Sequence, residues 1–210
     1  MWAAGGSGRR NREAARHREQ LLRTAATVIA ERGIDHTRFA NVAAATGMAI
    51  SSLQYIFGSR DDILIAAVEL AWREERARLE EGISEHTEPR DRLARLLSLT
   101  MGETAETAQT RLLWLEVRHA ALRQQQLRSL YSERQEVRLA LIRQAIEQGV
   151  ETGPFPASTE VDEAAIQVLA LVDGLGVPEA GESGLLDLPA SRRLAVEACS
   201  ALLKVRLPLP

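Results

Sequence analysis

Apolar residues recur along this chain at three- and four-residue intervals, the spacing that sets one face of an α-helix against a core. No stretch alternates in the two-residue rhythm of a half-buried strand. Over residues 12–32, Leu21, Leu22, Ala25, Val28 and Ile29 share one helical face, and Gly33 follows where a left-handed residue ends a helix. Thr37 is positioned to cap a short second helix with Phe39, Val42 and Ala43 inward, and Gly47 forces the next turn. A third short helix begins near Ile50 and is expected to bury Leu53, Ile56 and Phe57 before Gly58-Ser59 breaks it. Ser59-Arg60-Asp61-Asp62 resembles a capping box, with two acids at the positive end of a fourth helix over 60–82. Ile63, Leu64, Ala67, Val68 and Ala71 line one side of it, and the helix turns densely charged beyond Trp72.

Pro89 fits the first turn of a fifth helix carrying Leu93, Leu96, Leu97 and Met101, and a sixth spans 107–122. After Gln124-Gln125-Gln126 a longer seventh helix has Leu127, Leu130, Val137, Leu141, Ala145 and Ile146 in phase, ending at Gly149 and Gly153-Pro154-Phe155-Pro156. The eighth, over 159–175, is apolar on more than one side through Ala164, Ile166, Val168, Leu169, Leu171 and Val172, so it must be covered from several directions. Asp187 can cap a last helix bearing Leu194, Ala195, Ala198, Ala201, Leu202 and Val205. The pattern predicts an all-α protein of about nine helices, a three-helix N-terminal unit followed by an antiparallel helical bundle. The divisions fall at a flexible basic arm over 1–11, the N-terminal unit over 12–60, a connecting fourth helix over 61–85 and the bundle over 86–210.

Composition adds two constraints. Cys199 is the only cysteine, which excludes an intramolecular disulfide or a thiolate metal cluster within one chain. No apolar run reaches the roughly 20 residues of a bilayer span, and MWAAGGSGRR lacks the apolar stretch of a signal peptide, so a cytoplasmic protein is expected. Charge changes the picture more. The total of −3 hides a split: residues 1–60 hold nine arginines against four acids, net +5, and the remainder carries 17 basic against 25 acidic residues, net −8. Only the first segment suits a polyanion.

The run from Thr37 to Leu53 has the anatomy of a helix-turn-helix: Ala43 lets two helices approach, Gly47 permits the tight turn, and Val42 and Leu53 close the core. With the amphipathic helix before it and Leu53-Gln54-Tyr55-Ile56-Phe57-Gly58-Ser59-Arg60-Asp61-Asp62-Ile63-Leu64 after it, the segment over 16–68 resembles the DNA-binding domain of the TetR family. Ala49, Ile50, Gln54 and Ile56 depart from the family pattern, which usually has Ser or Thr, often Lys, and Tyr at the last two. The resemblance implies that the third helix enters the major groove, presenting Met48, Ala49, Ile50, Ser51, Ser52, Gln54 and Tyr55. Gln54 would pair with adenine, Ser52 would meet a base edge, and Ile50 or Ala49 would touch a thymine methyl. By the same analogy Tyr55 and Thr37 face phosphate, Arg60 grips the DNA backbone at the start of the fourth helix, and Arg9, Arg10 and Arg12 follow an adjacent minor groove.

Further on, Thr110-Arg111-Leu112-Leu113-Trp114-Leu115-Glu116 with Val172-Asp173-Gly174-Leu175 is similar to the C-terminal domains of TetR regulators related to the choline-responsive repressors. A bundle of this kind can enclose an apolar cavity with a few polar groups. Met101, Trp114, Glu116, Arg118, His119, Tyr131 and Phe155 are the candidates for its wall, and the effector is left open. Glu116 and His119 also match the Glu-x-x-His spacing of di-metal bundles. None of His17, His36 and His86 has Glu three residues before it, so a second such pair is missing. No catalytic residue, metal or cofactor is therefore expected, and the chain reads as a non-enzyme. The dimer surface is expected on the last two helices, at Val168, Leu171, Val172, Leu175, Leu194, Ala198, Ala201, Leu202 and Val205, with the two-fold pair reading a pseudo-palindromic operator. The function expected is a homodimeric, DNA-binding repressor released by an unknown small-molecule effector. The rival expectation is a helical protein-interaction module that has lost DNA reading.

Overall fold

The computed structural model describes residues 5–102, 105–176 and 187–208. These form nine α-helices and no strand: α1 (Gly5–Arg32), α2 (Phe39–Thr46), α3 (Ile50–Phe57), α4 (Arg60–Ser84), α5 (Pro89–Met101), α6 (Ala105–Ala121), α7 (Gln125–Glu151), α8 (Val161–Leu175) and α9 (Leu188–Leu202). Local chemistry sets most of the boundaries. The Ser59 hydroxyl accepts from the Asp62 amide at 3.1 Å while the Asp62 carboxylate accepts from the Ser59 amide at 2.9 Å, the reciprocal cap expected for α4. These bonds to Ser59 also hold the Asp62 carboxyl below its ordinary range. Asp187 accepts from the Ala190 amide at 2.7 Å and starts α9, and Pro89 occupies the first turn of α5.

Two expectations at the N-terminal end are corrected. Residues 5–11, expected as a flexible arm, are the first turns of α1. The run Arg9-Arg10-Asn11-Arg12-Glu13-Ala14-Ala15 consists mostly of good helix formers, and a formed helix adds each of them without a new nucleus. The residue capping α2 is Arg38, whose amide is satisfied by the Asn41 side-chain oxygen at 2.8 Å. Thr37 is fully buried, and its hydroxyl donates to the Gly33 carbonyl at 2.8 Å.

The helices enclose two apolar cores. The first joins α1, α2, α3 and the front half of α4 to Leu113, Trp114, Val117 and Ala120 of α6 and Leu127 of α7. The second joins the rear of α4 to α5, the rear of α7, α8 and α9, with Cys199 and Phe155 inside it. The N-terminal unit is thus not closed on itself. One face of α6, drawn from the bundle, completes its core, so a shift of α6 is felt there.

Charge is also buried between the cores. Glu75 of α4 takes a two-point contact from Arg134 of α7, with Nε 2.9 Å from Oε2 and the terminal nitrogen 2.7 Å from Oε1. Arg138, one turn on, donates to Asp173 of α8 and to Gln135, both at 2.7 Å, and Gln135 donates to Asp173 at 2.6 Å. Arg134 and Arg138 stand in the same helical phase as Leu127, Ile142 and Ala145, so α7 spends two positions of its inward stripe on guanidinium groups.

Candidate functional site

The second and third helices meet across Gly47, whose left-handed φ of 71° ends α2 and turns the chain into α3. Leu53 and Phe57 point inward, and Arg18 of α1 lies over the Phe57 ring at 5.1 Å. Among the described residues nothing covers the opposite face of α3. Ala49, Ile50, Ser51 and Gln54 are exposed, Met48 and Ser52 are half-buried, and Tyr55 is 92% exposed. Ile56, expected in the core, lies at its margin with 38% exposure, because the short α3 closes its core through Leu53 and Phe57 alone. Ala49 caps α3 without a side-chain bond, as a residue lacking a hydroxyl must. An eight-residue helix with a bare polar face of this size fits a major groove.

Two residues expected at the DNA backbone are engaged elsewhere. The Arg60 guanidinium donates to the Thr37 carbonyl at 2.6 Å, to the Ile34 carbonyl and to Asp61 at 2.8 Å. It ties the turn between α1 and α2 to the start of α4, and with the buried Thr37 hydroxyl it serves the geometry of the head. Arg12 is exposed on α1, and the side chains of Arg9 and Arg10 lie outside the described residues.

In the bundle, a small cleft of about 50 Å³, open to solvent, lies between α6, α7 and α8 with Thr100 of α5 on its wall. Trp114, Arg118 and Tyr131 line it with Thr100, Arg111, Leu115, Arg134, Arg138, Val172, Asp173 and Gly176. Trp114 is buried and packs nearly perpendicular to Trp72, ring centroids 6.3 Å apart at 86°, and Arg134 lies over one of its faces at 4.5 Å. The Trp72 indole N–H donates to Glu133 at 3.1 Å, whereas the Trp114 N–H is buried with no partner among the described residues. A second cleft, between α1, α4 and α6, is crossed by an Arg23–Glu74 ion pair of 2.8 Å.

The other residues expected on the cavity wall are placed away from it. Met101 and Phe155 are buried in the second core, Phe155 against Gly149, where any Cβ would collide with its ring. His119 is exposed beside Arg123. Glu116 projects from the opposite side of α6, and its carboxylate accepts from the Ile34 amide at 3.3 Å just past the end of α1. Gly33, at φ 84°, makes room for it: a Cβ there would stand 2.9 Å from the carboxylate oxygen. Arg123, just beyond α6, adds a 2.9 Å ion pair to Asp35 in the same turn. Reading the sequence alone missed Arg111, Arg134 and Arg138, although the inward phase of the last two was a usable signal.

The expected dimer residues are divided. Val168 and Val172 are buried within the chain, because the inward face of α8 packs on α5 and α7. Leu171, Leu175, Leu194, Ala198, Leu202 and Val205 are half-buried and Ala201 is exposed, while the outer face of α8 shows Ile166 at 57% exposure with Ala170 and Gly174.

A basic head with a bare recognition helix, joined through one helix to a polar cavity, defines a DNA-binding regulator. Residues 21–67 match the model of the bacterial regulatory proteins of the tetR family, and residues 89–204 match that of the BetI-type transcriptional repressor C-terminal domain. The chain belongs to the TetR family of transcriptional regulators. Among solved structures it is similar to a protein from Rhodococcus sp. assigned as a TetR-family regulator, 28% identical over 89% of this chain and 99% of that one, TM-score 0.77. It is also similar to a protein from Saccharomonospora viridis assigned as a transcriptional regulator and solved in complex with choline, 25% identical over 87% and 95%, TM-score 0.80. The regulator FadR from Bacillus subtilis, in complex with stearoyl-CoA, shares the fold at 21% identity over 88% and 96%, TM-score 0.70. Among curated proteins none matches the chain. No described helix is long and apolar enough to cross a membrane.

Proposed function

We propose that the protein is a homodimeric repressor that holds a pseudo-palindromic operator through α3 and releases it when a small molecule enters the cavity between α6, α7 and α8. The observation that carries this reading is the double duty of α6. Its Arg111, Trp114 and Leu115 wall the cavity, while Glu116 holds the turn between α1 and α2 on which the head is built. A ligand that moves α6 by a fraction of a helical turn therefore alters the angle at which α3 is presented. A relative of this fold with choline bound supports a ligand-binding role for the second domain. In this reading the bundle binds its effector without converting it, and the protein works in the cytoplasm beside its operator.

On α3, Gln54 is the candidate for adenine, Ser51 and Ser52 for base edges, Ile50 and Ala49 for thymine methyls, and Tyr55 for phosphate. Arg12, exposed on α1, is the candidate for an adjacent minor groove. The dimer would form through α8 and α9, using Ile166, Ala170, Gly174 and Ala201 in place of the inward Val168 and Val172.

The test is binding of the purified full chain to the DNA flanking its own gene, across a salt series. Phosphate neutralisation makes affinity fall steeply with salt. Tyr55→Ala and Gln54→Ala should each weaken specific binding by about tenfold or more, roughly 1.4 kcal/mol, with the melting temperature unchanged. Unaltered affinity in both variants would remove α3 from the reading, and a monomer at micromolar concentration would remove the two-fold operator.

A further inference from the structure

The cavity is built for negative charge. Among the described residues four arginines line it, Arg111 and Arg118 from α6 and Arg134 and Arg138 from α7, against the one carboxylate of Asp173. Two of the four are committed: Arg134 to Glu75, and Arg138 to Asp173 and Gln135. Asp173 is likewise taken, accepting from Arg138 and Gln135 at once. Arg111 and Arg118 face no carboxylate within bonding distance among the described residues. The Arg111 Nε is buried without a partner, as is the Nε of the fully enclosed Arg138. Burial, with the like charge of Arg192 from α9 beside it, pulls the Arg111 pKa below the ordinary guanidinium range. Arg111 and Arg192 are half-buried and Arg118 is exposed, and like charges held this close are relieved by an anion.

The aromatic side of the cavity gives a cation little hold. A quaternary ammonium is recognised by the open face of an aromatic ring. Here one face of Trp114 is covered by the Arg134 guanidinium at 4.5 Å, and the ring packs nearly perpendicular to Trp72. What remains toward the cavity is the Tyr131 ring, the Leu115 side chain and the unpartnered indole N–H. These are an apolar wall and a further donor.

We propose that the effector is an organic anion, a carboxylate or phosphate group on a compact apolar body, held by Arg111 and Arg118 with its body against Tyr131 and Leu115. The inference rests on the ligand-released reading above and narrows it to one charge class.

The test uses four probes that share one ring and differ in charge: benzoate, phenyl phosphate, benzyl alcohol and benzyltrimethylammonium. Each is titrated into the full chain by calorimetry, with Trp114 fluorescence as a second readout. At least one of the two anions should bind about tenfold or more tighter than the alcohol, and the cation not at all. Arg111→Gln with Arg118→Gln should abolish that preference, and Arg111→Lys with Arg118→Lys should retain part of it. The variant fold is checked by its melting curve. Binding of the cation as tight as that of the anions would overturn the proposal. So would anion binding that survives the double glutamine variant, or no binding of any probe at millimolar concentration. Operator release is read separately by gel shift. An anion that binds through Arg111 and Arg118 without loosening the operator leaves the charge assignment standing and refutes the release mechanism.

Discussion

Replacing Glu75 with alanine strands the Arg134 guanidinium between the two cores. Both side chains of the pair are more than nine-tenths buried, at 8% and 7% exposure, and their contact is made at two points. Breaking such a pair from one side costs about 3–5 kcal/mol, since the remaining charge keeps its desolvation and loses its partner. Arg134 would retain the Trp114 face, worth about 1–2 kcal/mol where desolvated, which points to the lower end. For a domain of this size a loss of about 3 kcal/mol lowers the melting temperature by roughly 6–12 °C. Removing both charges, as Glu75→Leu with Arg134→Met, leaves no orphan and should be less damaging than Glu75→Ala alone. Urea unfolding of the three proteins measures this. A cost below about 1 kcal/mol for Glu75→Ala, or a double variant no better than the single, would refute the assignment of this pair as mutually dependent.

The same pair sets an acid limit. Burial alone would raise the Glu75 pKa, but the Arg134 charge and hydrogen bonds, with Arg138 and Arg78, outweigh it and hold the carboxyl below its ordinary range. A carboxyl lowered on folding contributes fully above its unfolded value, near about 4.3, and the contribution drains away as pH falls through the lower folded value. The stability difference between the wild type and Glu75→Gln should therefore be constant near neutrality and shrink in acid. Persistence of the difference at the lowest pH where the fold survives would contradict it.

Other outcomes follow from single contacts. Gly33→Ala combines a left-handed backbone with a 2.9 Å approach to the Glu116 carboxylate, so it should lower stability by more than the roughly 1 kcal/mol of backbone cost alone; adding Glu116→Ala should recover the excess in a thermal melt. Arg60→Ala frees the Ile34 and Thr37 carbonyls and should cost about 1–2 kcal/mol, discounted because the side chain is 32% exposed; Arg60→Lys should restore little, for one ammonium cannot match a planar fork, and full rescue would show that charge alone matters. Cys199 is buried in the second core, where burial pushes its thiol up to about 12; it should resist thiol reagents at neutral pH until the protein unfolds, and rapid labelling of native protein would overturn its placement.

Elements whose causes lie within a few residues were legible in the chain itself. The Ser59–Asp62 cap, the Asp187 cap, Pro89 in its first turn and Gly47 between the two short helices each depend on neighbours close in sequence. The all-α class followed from those periods, and the DNA-reading segment from its resemblance to the TetR head together with the positive charge of residues 1–60. Of the expected cavity wall, Trp114, Arg118 and Tyr131 are on the cleft. Glu116 was given to the ligand for its place beside Trp114 on the sixth helix, and Arg60 to DNA by analogy with the family. Their partners lie 82 and 23–26 residues away and turn both inward.

Arg134 and Arg138 were assigned no role from the sequence, although the residues around them in phase are apolar. Local periodicity determines which residues form a helix and which stripe is apolar. Only packing decides what each face meets, because burying a charge or a hydroxyl depends on a partner that short-range pattern does not contain. The link from cavity to recognition helix is of this second kind: it exists where α6 of the bundle fills the core of the head, a contact that no local window along the chain contains.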